Sequence, residues 1–215
     1  MDTQKPRWQA VFFDFDGVIA ASLAVKVRAF ATLFAPYGPA VQEAVVRYHR
    51  DHGGMPRHQK LHHCCEVIAQ TSVDEQELAR LGQTFADLVR EEVVAAPLIT
   101  GALTTLEQLR RFGIAAFVVS GTPHDEMVQI VTRKGLQPYF AEVHGSPRAK
   151  TEIIGELLER YRHTPEHCLF LGDALADYRA ATATGLRFLG IVPEGGKSIF
   201  PAGVTTASQV CLAID

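Results

Sequence analysis

Asp14 and Asp16 stand one residue apart at the end of an apolar run, Val11-Phe12-Phe13-Asp14-Phe15-Asp16-Gly17-Val18. Side chains alternate along a strand, so such a run would put both carboxylates on one face and Phe13 and Phe15 on the other. Two close acids repel unless a cation sits between them. Hard oxygen donors suit magnesium, which keeps waters and a substrate phosphate among its ligands. The pair therefore points to phosphoryl chemistry, although the same run alone also describes a strand ending in an acidic turn.

Three further places carry polar groups where such chemistry would need them. Ser120-Gly121-Thr122 closes the apolar run 114–119 and stands directly before Pro123, a residue suited to the first position of a helix. A hydroxyl, a bare backbone and a helix start make a phosphate seat, or simply a capped turn. Gly172-Asp173-Ala174-Leu175-Ala176-Asp177 follows the apolar run 168–171. Its two acids lie one helical turn apart and could face one site, or serve as N-cap and first-turn acids. Lys150, after Gly145-Ser146-Pro147, sits near a helix start, where a cation opposes the helix dipole and calls for a separate reason.

The elements that must position these residues follow from the pattern. From about 19 to 96 the chain shows helical periodicity without alternating segments. Helices are expected over 22–34 with Ser22 as cap, 40–52, 56–70, and from 74 with Ser72 or Asp74 as cap. Beyond Gly101 the character changes. A helix over 103–112, a strand over 114–119, a helix over 123–134, a weak strand over 140–143 and a helix over 149–161 follow. A strand over 168–171, a helix over 174–184 and a strand over 186–191 complete the alternation. This predicts an α/β core, a Rossmann-like doubly wound parallel sheet made of 1–18 and 97–215, with an inserted all-helical cap over 19–96. Ligands of such sheets bind beyond the carboxyl ends of the strands, where all four polar groups fall. The tail, 204–214, is expected to add a small strand and half a helix.

Composition narrows the partners. With 215 residues, 47% of them hydrophobic, the chain is large enough to bury a full core. A net charge of −3 argues against a nucleic-acid partner held through its phosphates. The four cysteines form no C-x-x-C pair and read as reduced thiols. Residues 1–9 are polar and basic, and no apolar run approaches bilayer length, so no membrane partner and a cytoplasmic location are expected. Oligomeric state is not legible.

Four motifs in this order resemble the haloacid dehalogenase superfamily: Asp14-Phe15-Asp16-Gly17-Val18, Ser120-Gly121-Thr122, Lys150, and Gly172-Asp173 with Asp177. The resemblance covers essentially the whole chain and points to its phosphatase and beta-phosphoglucomutase-like branch. It implies that Asp14 is a nucleophile forming an aspartyl-phosphate, with Asp16 as general acid and then base. It also implies a magnesium ion held by Asp14, the backbone carbonyl of Asp16 and Asp173, with Asp177 ordering that shell or Lys150. Ser120, Gly121 and Thr122 would hold the phosphoryl oxygens and Lys150 would screen the charge. The dehalogenase branch lacks the second aspartate, so Asp16 sets this chain apart from it. Phosphonate hydrolysis would use a cap lysine, and neither Lys26 nor Lys60 has a sequence setting that marks it for that role.

The cap loop 52–60 looks like the Gly-x-x-Arg loop of sugar-phosphate mutases and phosphatases of the superfamily. Arg57 is thus a candidate for a second anionic group on the substrate. His58, His62, His63, Cys64 and Cys65 lack a second matched ligand pair and fit a partly buried helix better than a zinc site. Gly195-Gly196-Lys197-Ser198 lacks the first glycine of a phosphate loop, since Ile191 stands there. Many relatives carry an acid where this chain has Ala21. The expected function is a magnesium-dependent phosphatase for a small phosphorylated metabolite. A sugar phosphomutase is the alternative, and a phospho-accepting receiver-type signalling module a more distant one.

Overall fold

A computed structural model describes residues 7–213. Residues 1–6, part of the polar amino-terminal stretch, lie outside the described residues, as does Ile214 of the tail. Six strands, β1 (Ala10–Phe13), β2 (Ala115–Pro123), β3 (Glu142–Ser146), β4 (Cys168–Gly172), β5 (Arg187–Ile191) and β6 (Thr206–Ala207), form one sheet in the order β3-β2-β1-β4-β5-β6. Every pairing in it is parallel.

Alternation along β1 sends Val11 and Phe13 to one face and Phe12 to the other. On the first face they meet α5 (Ala102–Arg111) and α6 (His124–Arg133) through Leu106, Leu109, Ile130 and Val131. On the second, Phe12 and Phe117 pack at 4.9 Å beneath α7 (Lys150–Tyr161) and α8 (Leu175–Ala183), which contribute Ile154, Leu157 and Ala181. Each fully buried side chain of this size contributes about 1.5–3 kcal/mol, which is why the central strands are almost continuously apolar.

Between β1 and α5 the chain forms four helices: α1 (Leu23–Phe34), α2 (Pro39–Asp51), α3 (Arg57–His63) and α4 (Glu75–Ala95). The two crossings pair with each other, Ala21 N–H donating to Pro97 O and Ile99 N–H to Ile19 O, both at 2.9 Å. Lys134 of the core donates to the carbonyls of Val94 at 2.9 Å and Ala96 at 2.6 Å, which closes the otherwise orphaned end of α4. Phe30, Phe34, Phe85 and Val89 of these helices join the apolar cluster under β1. No helix among the described residues is long and apolar enough to cross a membrane.

Several expectations shift. Ser22 occupies the N-cap position of α1 but makes no capping bond, because its hydroxyl is bonded to Asp16. Asp74 caps α4, accepting from Glu77 N at 2.8 Å. The helix after Pro56 ends as a π-helical turn, Cys64–Ile68, whose wider arc buries the consecutive Cys64 and Cys65. Strand β2 runs on through Ser120-Gly121-Thr122 with a register break between Val119 and Pro123, and β3 starts two residues later than its hydrophobicity indicates. The tail makes β6, but the half helix is absent among the described residues. Val210 is held straight by bonds with Thr100 O and the Thr105 hydroxyl. Gly101, at φ +84°, admits this: a Cβ there would lie 2.4 Å from Val210 O.

Candidate active site

Beyond Phe13 the chain leaves β1 with Asp14 N–H bonded to Leu171 O of β4 at 2.9 Å, which fixes the first carboxylate against the neighbouring strand. Phe15 O accepts from Ile19 N–H at 2.8 Å and Ala20 N–H at 3.0 Å, folding 15–20 into a tight loop. Gly17 makes the loop possible. Its φ is +80°, and an added Cβ would stand 2.5 Å from Asp173 Oδ2.

Asp173 and Asp177 arrive from the far side, from the end of β4 and the first turn of α8. Carboxylate oxygens of Asp14, Asp173 and Asp177 lie within 4.8 Å of one another, and this is the one such group of three metal-binding side chains among the described residues. The His58 to Cys65 stretch gathers no such group: His58 bonds Glu75 at 2.9 Å and His63 stacks on Tyr48 at 4.0 Å.

Lys150, the first residue of α7, donates to Asp14 Oδ1 at 3.0 Å and to Asp177 Oδ1 at 2.6 Å. Burial favours the neutral amine, but the charges and hydrogen bonds of Asp14 and Asp177 outweigh it and hold Lys150 protonated well above the usual lysine range. The unfavourable place of a cation at a helix start is thereby explained. Burial pushes the Asp177 carboxyl up to about 6 against the pull of Lys150. Burial and the charges of Asp14 and Asp177 hold Asp173 well above the usual carboxylate range.

When ionised, the three carboxylates carry two negative charges beyond the one that Lys150 offsets, and their donors are all hard oxygens. This set fits a divalent cation of the magnesium type better than a soft metal, since no sulfur or imidazole belongs to it.

The Asp16 side chain turns away from that cluster. It accepts from the Ser22 hydroxyl at 2.5 Å, from Thr122 Oγ1 at 3.2 Å and from the Lys26 ammonium, which also donates to Thr122 Oγ1 at 2.7 Å. Burial raises the pKa of Asp16, but Lys26, through charge and hydrogen bond, outweighs it together with Ser22 and Thr122, and the carboxyl sits below its ordinary value. The Ser120 hydroxyl accepts from Thr122 N–H at 3.2 Å. Asp14, Asp16, Asp173 and the 120–122 turn line a cavity of about 530 Å³ roofed by the inserted helices.

The cap is closed over this cavity. A Cβ on Gly121 would meet Gly54 O at 2.6 Å and Met55 O at 3.3 Å. Gly121→Ala is expected to prop the cap open and lower kcat/KM by roughly 10²-fold, the scale of an ångström of misplacement, with divalent-ion binding unchanged. Steady-state kinetics beside a metal titration checks this; unaltered kinetics would show that closure is not needed.

The cap candidate Arg57 reaches the cavity wall, but its terminal nitrogens are committed to Glu126 of α6 at 2.6 and 2.7 Å, with the guanidinium 4.5 Å over Phe85. It is free for a substrate anion only by giving up that carboxylate. Sequence reasoning missed four participants: the Ser22 hydroxyl, Lys26, Lys60 and Glu126. Lys26 had a usable signal, because a cation close to the start of α1 opposes the helix dipole as Lys150 does. The pairing of Arg57 with Glu126 joins residues 69 positions apart and has no local signature.

An acid cluster at the carboxyl ends of a parallel sheet, a hydroxyl turn beside it and a helical roof define an enzyme of the phosphatase type. The chain belongs to the haloacid dehalogenase-like hydrolases, matching that family over residues 8–185. It is 26% identical over 183 residues to a phosphoglycolate phosphatase of Synechococcus elongatus, covering 83% of this chain and 81% of that protein. It is 25% identical over 207 residues to a phosphorylated carbohydrates phosphatase of Thermotoga maritima, covering 91% of each. Among solved structures, CbbY of Rhodobacter sphaeroides in complex with xylulose-(1,5)bisphosphate superposes with a TM-score of 0.75 at 18% identity over 94% of both chains. That likeness concerns the fold.

Proposed function

We propose that this enzyme is a magnesium-dependent phosphatase that releases phosphate from a small phosphorylated metabolite through an aspartyl-phosphate on Asp14. The observation that carries the reading is the cluster of Asp14, Asp173 and Asp177 with Lys150, of which Asp14 and Asp173 line one cavity with the Ser120 to Thr122 turn.

Asp14 supplies the attacking carboxylate oxygen. As its bond to phosphorus forms, the bond to the leaving oxygen breaks, and Asp16 gives that oxygen a proton. A water then attacks phosphorus, Asp16 takes its proton, and inorganic phosphate leaves with Asp14 restored. The lowered pKa of Asp16 keeps it ionised and favours the second of these roles, and Lys26 with Thr122 holds its carboxylate at the cavity wall. The Ser120 hydroxyl and the amides of Gly121 and Thr122 orient the phosphoryl oxygens, while Lys150 keeps Asp14 from its like-charged neighbours. Asp14, Asp173 and Asp177 offer carboxylates to magnesium and Asp16 its backbone carbonyl; the bound ion would offset charge on the transferring group. We assign 1–18 and 97–215 to the catalytic core and 19–96 to the cap that excludes water.

The relatives named for phosphoglycolate and for phosphorylated carbohydrates support a substrate of a few carbons. Screening phosphorylated metabolites for phosphate release, with magnesium and with chelator, tests the reading. At least one compound is expected to be hydrolysed only when magnesium is present. Interconversion of isomers without phosphate release would replace the reading by a phosphomutase, and a stable phosphoprotein without turnover by a receiver-type module.

A further inference from the structure

Five cationic side chains line the cavity, and they are not equivalent. Lys26 is bonded to Asp16, and Arg57 is bonded through both terminal nitrogens to Glu126. Arg50 is exposed, as is Lys197. Lys60 differs from all four. It lies on α3 one turn beyond Arg57, is 4% exposed, and bonds among the described residues to an imidazole, His49 Nδ1 at 3.2 Å, rather than to a carboxylate.

A buried ammonium without a carboxylate partner costs several kcal/mol in desolvation and is kept only where something else supplies the counter-charge. His49 does not supply it. Burial and the charges of Lys60 and Lys26 push that imidazole down to about 3, so it is neutral, and its Nδ1 accepts from Lys60 without offering a counter-charge. Burial and the Lys26 charge lower Lys60 to about 8, which still leaves the ammonium the main form at pH 7. Phe30 flanks the ammonium at 5.9 Å, and Phe85 and Val27 also line the cavity, so part of its surroundings is apolar.

The geometry points to Lys60 as the residue that selects substrates carrying a second anionic group, a carboxylate or a second phosphate, in addition to the phosphoryl group held at Asp14. This inference rests on the phosphatase reading for the reaction and goes beyond it in naming the substrate class. It also divides the labour on α3: Arg57 fastens the cap to α6 through Glu126, and Lys60 reads the substrate.

The test uses matched pairs that differ in the second anion alone: phosphoglycolate against 2-hydroxyethyl phosphate, 3-phosphoglycerate against glycerol 3-phosphate, and glucose 1,6-bisphosphate against glucose 6-phosphate. The wild-type enzyme is expected to favour the charged member of at least one pair, and which pair it is separates carboxylate from phosphate. Lys60→Met, which keeps the volume, should reduce the charged-to-neutral ratio of kcat/KM by about 10–100-fold, chiefly through KM, and Lys60→Arg should retain most of it. Lys60→Gln carries the same test if the methionine variant does not fold.

Calorimetric binding of the same pairs to the Asp14→Asn variant, with and without Lys60→Met, reads the preference independently of turnover. Absence of phosphate release from every compound would overturn the phosphatase reading, and binding would then still decide the role of Lys60. The assignment to Lys60 fails if no pair shows a preference for the charged member, or if the preference survives in Lys60→Met.

Discussion

Replacing Asp14 by Asn is expected to lower magnesium-dependent phosphate release by roughly 10⁴–10⁶-fold, the scale seen when a covalent nucleophile is removed. The variant keeps the shape of the side chain and its neighbours. Lys150 loses the charge of Asp14 but keeps Asp177 at 2.6 Å, and Asp173 and Asp177 lose a like charge at close range. These effects oppose one another, so the melting temperature should move by only a few degrees. Two measurements check the result: phosphate release at saturating substrate, and mass spectrometry of acid-quenched enzyme, which should find a phosphorylated form in the wild type and none in the variant. Near-full activity in Asp14→Asn would require a different nucleophile, and the neighbouring carboxylate beyond β1, Asp16, is taken up by Ser22, Lys26 and Thr122.

The acid-and-lysine cluster of the candidate site was legible before the structure because Asp14, Ser120, Asp173 and Lys150 each sit at a place where local rules already mark them. Asp14, Ser120 and Asp173 follow apolar runs that can only be buried strands, and parallel strands aligned in one sheet bring their carboxyl ends together. Lys150 was legible for the opposite reason, as a residue in the wrong electrostatic place. The cap resisted the same treatment. Arg57 looked free because its partner Glu126 lies on a core helix that contacts the cap only in three dimensions. Lys60 looked like any lysine among polar neighbours, and its burial depends on Phe30 from another helix. Ser22 was misread because capping is the default use of a serine before a helix. The hydroxyl is instead drawn to Asp16, whose charged acceptor outcompetes a backbone amide. Local grammar thus recovers what the sheet positions, while the specificity of the roof depends on contacts between helices distant in sequence.

The acid cluster should also be visible as a cost in the metal-free protein. Folding raises the pKa values of Asp173 and Asp177, the latter from 3.8 to about 6. Between those values these two acids bind more protons in the folded chain than in the unfolded one, so their contribution to stability falls as pH rises, and the loss is complete only above the folded values. For Asp177 alone the span corresponds to on the order of 3 kcal/mol before the coupling with Asp173 is considered. His49, which burial pushes down to about 3, adds stability over the same rise in pH whether or not the cluster is intact. From pH 5 to pH 8 the chelated wild type should therefore lose stability relative to Asp173→Asn, and magnesium should abolish most of that difference by neutralising the cluster. Asp173→Asn removes one of the repelling charges. In chelator at pH 8 it is expected to melt about 5 °C above the wild type, to respond little to added magnesium, and to lose activity by several orders of magnitude. A residue whose removal stabilises the empty fold while destroying turnover is one held in place for its ligand. Melting curves at pH 5 and 8, with and without magnesium, decide the matter. A chelated wild type that follows the same pH course as Asp173→Asn, or a variant less stable than the wild type at pH 8, would show that Asp173 is a structural acid.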